Sequence, residues 1–170
     1  KNLEKASALL VGPGLGLEIT TAAFISNLLT GQATRSRRGR IGFLAPQKDT
    51  PAAGEEISLP PLVVDADALK LVARGDEWWK LLPEQTVLTP HPGEMAILTG
   101  RSLEEIQTNR AAAALEAAKK WDCVVILKGA FTVVAAPTGQ VCVVPVATPA
   151  LAKAGTGDVL AGMVVGLMAQ

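Results

Sequence analysis

Short apolar runs rich in Val, Ile and Leu alternate with stretches of helical period, the pattern of an α/β chain. Ala8–Val11 predicts a buried strand that runs into the glycine turn Gly12-Pro-Gly-Leu-Gly16. Over Glu18–Leu29, apolar Ile19, Ala22, Ala23, Ile25, Leu28 and Leu29 recur at helical spacing. The periodicity dissolves from Thr30 to Pro61, where Arg35, Arg37, Arg38 and Arg40 mix with glycines and prolines. That segment predicts a loop or insertion over 30–61, with room for one short strand at Ile41–Leu44. Leu62–Val64 is the next strand, ending at Asp65-Ala-Asp67, where Asp67 is placed to cap a helix through Ala73. Glu77–Leu82 predicts a short helix closed by Pro83, with Trp78 and Trp79 turned one to the core and one to the surface.

Thr86–Leu88 predicts a strand that ends in Thr89-Pro-His-Pro-Gly-Glu94, and a brief helix begins near Met95. Ser102-Leu-Glu-Glu105 is a capping box, and the helix it opens is predicted to reach Lys120. Cys123–Leu127, Phe131–Ala135 and Val141–Val144 are strands, the last two joined as a hairpin at Thr138-Gly139. Gly155-Thr-Gly-Asp158 opens a final helix of small and apolar residues to Ala169.

Composition narrows the class. In 170 residues there are 16 basic and 16 acidic side chains and one histidine, for a net charge of zero. Neither nucleic acid nor an anionic membrane surface is the partner such a balance suggests. Hydrophobic residues make up 49% and charged residues 19%, enough for a packed single domain and too apolar for disorder. Cys123 and Cys142 sit in β-branched runs with no histidine beside them, which reads as two buried apolar thiols and no metal site. No apolar stretch follows the opening lysines to make a signal peptide, and Val159–Ala169 is too short to cross a bilayer. A soluble, reduced, cytoplasmic protein is expected.

Candidate chemistry lies in the loops that follow strands, where open parallel sheets bind ligands. The Gly12–Gly16 turn joins a strand to a helix and could bring backbone N–H groups against an anion, although it lacks the full GxGxxG spacing. Gly155-Thr156-Gly157-Asp158 offers consecutive N–H groups at a helix start, a cradle for developing phosphate charge. Asp158 sits in the first turn, where the helix dipole favours the ionised carboxylate; a capping aspartate is the plainer alternative. His91, the sole histidine, is held between Pro90 and Pro92 as either a rigidly presented ligand group or a surface side chain. Lys128 could meet a phosphate as a point charge or stay solvated. The arginines at 35–40 could touch an anion or line a solvated loop, and Asp65 with Asp67 could be a metal pair or a cap. No GxxxxGK[ST] motif is present, which excludes a P-loop NTPase.

Taken together, five segments resemble the carbohydrate-kinase-like domain of ADP/ATP-dependent NAD(P)H-hydrate dehydratases, a ribokinase-like family. They are Val11-Gly-Pro-Gly-Leu-Gly16, Val64-Asp-Ala-Asp-Ala-Leu69, Leu88-Thr-Pro-His-Pro-Gly-Glu-Met95, Leu127-Lys-Gly-Ala-Phe-Thr132 and Ala154-Gly-Thr-Gly-Asp-Val-Leu-Ala-Gly162, in the family's order. The resemblance implies a three-layer α/β/α fold with a mostly parallel sheet, incomplete at both ends. It implies a nucleotide-driven removal of water from hydrated NADH or NADPH (NADHX or NADPHX) through phosphoryl transfer to the ring hydroxyl and loss of phosphate. Asp158 would act on that hydroxyl as base or orienting group, and Gly155, Thr156 and Gly157 would form the anion hole. Gly14, Gly16 and His91 would contact the hydrate together with Asp158. Lys128, Gly129, Ala130, Phe131, Thr132 and Gly157 would hold ADP or ATP, whose phosphates bring Mg2+; no protein metal site is implied. A homo-oligomer is also implied.

The chain departs from the family in three places: Thr148-Pro149-Ala150 replaces Asn-Pro-Gly, Lys153 replaces threonine and Lys70 replaces asparagine. The family also carries segments before the glycine turn and after the final helix, so the motifs describe the middle of a larger domain. Two other readings remain open at this point. One is a hydroxymethylpyrimidine or sugar kinase of the same fold; the other is a truncated, non-catalytic nucleotide-binding module.

Overall fold

The computed structural model describes residues 3–31 and 59–170. The arginine cluster, the strand expected at Ile41–Leu44 and nearly all of the predicted 30–61 loop lie outside the described residues.

One six-stranded sheet organises the chain, with strands in sequence order: β1 (Leu9–Val11), β2 (Leu62–Val64), β3 (Thr86–Leu88), β4 (Val124–Leu127), β5 (Val133–Ala135) and β6 (Val141–Val143). β1 to β4 are parallel, and β5 and β6 form the antiparallel hairpin on the β4 edge. Registers Val11↔Val64 and Val64↔Leu88 align the carboxyl ends of the first three strands. β2 is buried throughout, as a central strand covered on both faces should be.

The helices are α1 (Ile19–Leu29), α2 (Ala66–Val72), α3 (Pro92–Thr99), α4 (Leu103–Thr108), α5 (Arg110–Trp121) and α6 (Thr156–Met168). Strand order that advances in one direction through right-handed crossovers puts α1 to α5 on one face of the sheet. α6 packs on β1 and β2 rather than on α1 or α2, which assigns it to the opposite face. The result is the mostly parallel, three-layer α/β arrangement expected. Its core joins Leu62, Val64, Leu69, Leu88, Met95, Ile106, Val125 and Leu127 beneath the helices.

Several local expectations change. The single helix predicted from Ser102 to Lys120 is two, because Asn109 leaves helical geometry (φ −143°, ψ 76°) and its side chain caps Ala112 N–H at 3.0 Å. The Ser102 capping box is present, with both reciprocal bonds to Glu105 formed. Asp67 does not cap α2; Asp65 holds the N-cap position without a side-chain capping bond. Phe131 belongs to a turn (φ 53°) rather than to β5. Trp78 and Trp79 start a short 3-10 turn, Trp78 buried against Trp121 at 5.0 Å and Trp79 only half-buried. Cys123 is buried, and burial pushes its thiol up to about 12, whereas Cys142 is exposed on the edge strand β6. The edge position explains that error: every residue of β6 is exposed, so a β-branched run there does not imply burial.

Candidate active site

Parallel pairing brings four strand ends to one edge of the sheet. β1 ends at Gly12, β2 at Asp65, β3 at Thr89-Pro90-His91 and β4 at Lys128. Cross-bonds lock these ends together: Asp65 N–H donates to Val11 C=O (3.0 Å), Thr89 N–H to Val64 C=O (3.2 Å) and Lys128 N–H to Pro90 C=O (2.8 Å). Gly12, at φ 130°, lies so close to the next loop that a Cβ there would sit 1.7 Å from the Asp65 carbonyl oxygen. Only glycine fits. Gly16 N–H then donates to Asp67 Oδ2 at 3.1 Å, so the acid expected as a cap instead fastens the glycine turn to α2. Gly14, at φ 70°, faces open space.

At the centre of this edge is a buried ionic cluster. Lys128 Nζ lies 2.6 Å from Asp65 Oδ1 and 3.9 Å from Glu94 Oε2, and both carboxylates are almost fully buried. Asp65 Oδ2 has no hydrogen-bond partner among the described residues. A buried carboxylate oxygen in that state is costly, and native interiors rarely tolerate one without a role. Glu94 Oε2 accepts the His91 N–H at 2.9 Å, and His91 Nδ1 accepts from Gly93 and Glu94 N–H at 3.0 and 3.2 Å. His91 is therefore the N-cap of α3 as well as a rigidly held loop residue. With Nδ1 accepting, its neutral form carries the proton on Nε2, on an imidazole that remains half-exposed at the rim.

The amino end of α6 reaches the same cluster. A Cβ built on Gly157 would lie 3.4 Å from Lys128 Nζ. Gly155 holds the N-cap at φ 87°, and the first helical bond runs from Val159 N–H to Gly155 C=O at 3.0 Å. The N–H groups of Gly157 and Asp158 are left without an intrahelical acceptor. Thr156 contributes less than expected to an anion hole, because its N–H donates to Lys153 C=O (3.3 Å) and its hydroxyl to Leu151 and Lys153 C=O (3.0 and 2.8 Å). Asp158 is exposed in the first turn, free to meet a ligand. Upstream, Thr148 Oγ1 caps the short turn at Pro149–Leu151 by accepting Ala150 N–H at 3.3 Å, a job its asparagine counterpart could equally do.

The turn after β4 is built tightly. Gly129 (φ 144°) and Phe131 (φ 53°) bend it, Thr132 Oγ1 donates to Gly129 C=O at 3.0 Å, and the Phe131 ring is exposed. Arg110 reaches over from α5 and donates to the carbonyls of Leu127 and Lys128, both at 3.0 Å, and of Ala130. Burial lowers the affinity of its guanidinium for its proton. Sequence reasoning passed over Arg110 and Glu94. A basic residue directly after a helix N-cap, against the helix dipole, was the available signal for the first.

Of the predicted residues, Gly16, His91, Lys128, Gly157 and Asp158 share this edge, with Lys128 to Thr132 at its far side. A cleft of about 750 Å3 opens elsewhere, lined by Leu29, Pro61, Leu82 and Gln85, and Glu84 is the one titratable side chain among the described residues that line it. No group of three or more His, Cys, Asp or Glu side chains that could hold a metal occurs among the described residues. None of the described helices is long and apolar enough to cross a membrane.

The chain matches the carbohydrate-kinase family model described as NAD(P)H-hydrate dehydratase over residues 53–170. It is 43% identical over 168 residues to a bifunctional NAD(P)H-hydrate repair enzyme of Salinibacter ruber, covering 98% of this chain and 26% of the relative. Among solved structures it is similar to the ADP/ATP-dependent NAD(P)H-hydrate dehydratase of Bacillus subtilis co-crystallised with ATP and Mg2+. That match has a TM-score of 0.68 and 31% identity, covering 96% of this chain and 48% of that one. A ribokinase-like superfamily protein of Enterococcus faecalis matches with the same TM-score at 25% identity, covering 99% of this chain and 49% of that one. The chain thus spans about a quarter to a half of the proteins it matches.

Proposed function

The chain belongs to the NAD(P)H-hydrate dehydratase family, and from that premise we propose that its sheet edge performs the nucleotide-dependent dehydration of NADHX and NADPHX to NADH and NADPH. One observation carries the reading. The amino end of α6 at Gly157, the β2 end at Asp65 and the first turn of α3 at Glu94 converge on Lys128 Nζ. The unpaired N–H groups of Gly157 and Asp158, with the helix dipole behind them, suit the charge that develops on a transferring phosphoryl group.

In this reading the adenine nucleotide lies along Lys128, Gly129, Ala130, Phe131 and Thr132, with Gly157 beneath its phosphates. The hydrated nicotinamide ring sits over Gly14 and Gly16, within reach of His91 Nε2 and the Asp158 carboxylate. Asp158 accepts the proton of the ring hydroxyl as the hydroxyl oxygen takes the nucleotide's terminal phosphoryl group and the shortened nucleotide departs. Loss of phosphate and of the neighbouring ring proton then restores the double bond. The residues fit a magnesium ion carried by the nucleotide rather than caged by protein: hard oxygen donors are few, and Asp65 Oδ2 is the unpartnered one. Bound there, the ion would neutralise phosphate charge.

Gly157 and Lys128 also suit a small-molecule kinase, but the family match and the His91–Glu94 loop favour the dehydratase. A single domain, a cytoplasmic location and a homo-oligomer belong to the same proposal. The test is recovery of NADH absorbance from NADHX, with ATP and ADP supplied separately. Asp158→Asn should lower turnover by at least about a hundredfold while leaving nucleotide affinity within about twofold. Undiminished turnover in that variant would remove Asp158 from its role.

A further inference from the structure

We infer that Arg110 is a positioning residue that sets the shape of the turn at 128–132 and, through it, nucleotide affinity; the second half rests on the nucleotide reading proposed above. Arg110 is the first residue of α5. A cation there opposes the helix dipole, so helix stability does not account for an arginine at this position. No carboxylate among the described residues pairs with it, and its Nε is buried without an acceptor. What it does make is three hydrogen bonds to one turn, donating to the carbonyls of Leu127, Lys128 and Ala130. These carbonyls bracket Gly129, and a Cβ on Gly129 would lie 2.9 Å from Arg110 Nη2. The guanidinium therefore packs flat against a residue whose backbone only glycine adopts readily.

The clamp has a consequence for the site. Lys128 N–H is already tied to Pro90 C=O, and Phe131 N–H to Val146 C=O. With the carbonyls of 127, 128 and 130 drawn toward Arg110, the opposite side of the turn is left to present its groups outward. The Lys128 side chain is then aimed at Asp65 and Gly157. Lysine could not substitute, because a single ammonium lacks the planar fork that reaches three carbonyls at once.

The test uses the full chain and three variants: Arg110→Gln, Arg110→Lys and Arg110→Ala. Amide hydrogen exchange reads the turn directly, without nucleotide. Exchange at 128–132 should quicken by about tenfold or more in each variant, while amides of β2 and β3 stay protected. Affinity for ATP and ADP, measured by titration, should fall by about tenfold or more in all three, with Arg110→Lys as poor as Arg110→Gln. Millimolar guanidinium should restore part of the loss in Arg110→Ala and none in the wild type. Unchanged exchange in the turn would overturn the clamp. A quickened turn with unaltered affinity would overturn the positioning role. A wild-type chain that binds neither nucleotide would refute the nucleotide reading and the positioning role with it, while exchange would still show whether the clamp exists.

Discussion

Replacing Lys128 with methionine is the sharpest test of the buried cluster. The substitution keeps the stem but removes the one ammonium between two carboxylates that are nearly inaccessible to water. Breaking a buried ion pair from one side costs about 3–5 kcal/mol, because the remaining charge is neither solvated nor partnered. Lys128 retains 18% of its side-chain exposure, so water relieves part of that penalty. About 3 kcal/mol is the expected loss for Lys128→Met. Asp65→Asn removes the closer carboxylate yet leaves Glu94 for the lysine at 3.9 Å, and about 1–2 kcal/mol is expected there. In the double variant neither charge of the close pair survives, and the total should fall short of the sum by at least about 1.5 kcal/mol. Urea unfolding of the four proteins at neutral pH and fixed ionic strength supplies the cycle. Additivity to within about 0.5 kcal/mol would show that the two residues do not act as a pair.

Gly12→Ala places a methyl group 1.7 Å from the Asp65 carbonyl at φ 130°, and a loss of more than about 3 kcal/mol, or failure to fold, is expected in denaturant titrations. Gly14→Ala meets nothing within 4 Å at φ 70° and should cost only about 1 kcal/mol; equal costs at the two positions would refute the close approach. A thiol reagent at neutral pH should modify Cys142 rapidly and Cys123 only on unfolding. Because the Cys123 thiol is raised from 9.0 to about 12 in the folded chain, its contribution to stability is fully present below pH 9 and is lost as pH climbs toward 12. Two thiols reacting at the same rate in the folded protein would contradict that burial.

Element types were legible because parallel sheets leave a strong mark: β2 and β4 are short Val- and Leu-rich runs, and the helices between them carry their own period. What escaped the sequence depended on tertiary partners. Nothing local to Ser102–Lys120 shows that the helix breaks, since Asn109 is tolerable in a helix until its side chain finds Ala112 N–H. Asp65 and Asp67 are equivalent on paper. The fold separates them by sending one to Lys128, 63 positions away, and the other to Gly16, 51 positions away. Candidate residues such as His91 on the turn after β3 and Asp158 at the start of α6 were visible because Pro and Gly punctuate those segments. Glu94 and Arg110 were not, because the Lys128 contact of the one and the turn carbonyls held by the other exist only after β3, β4 and α5 assemble.

The same contacts give the neutral net charge a physical meaning. Among the described residues, the two cations nearest the amino end of α6 and the turn after β4 are already engaged: Lys128 by Asp65, and Arg110 by three carbonyls of the turn it holds. A phosphate arriving at the amino end of α6 therefore first meets backbone N–H groups, whose charge is partial and fixed in direction. Lys128 can follow only by leaving Asp65, whose second oxygen is unpartnered already. Capture of the lysine by phosphate would leave a wholly unpaired carboxylate in the core, a state stabilised most directly by a cation arriving with the nucleotide. On this account the buried lysine–aspartate pair makes nucleotide binding depend on an accompanying cation more strongly than an exposed lysine would.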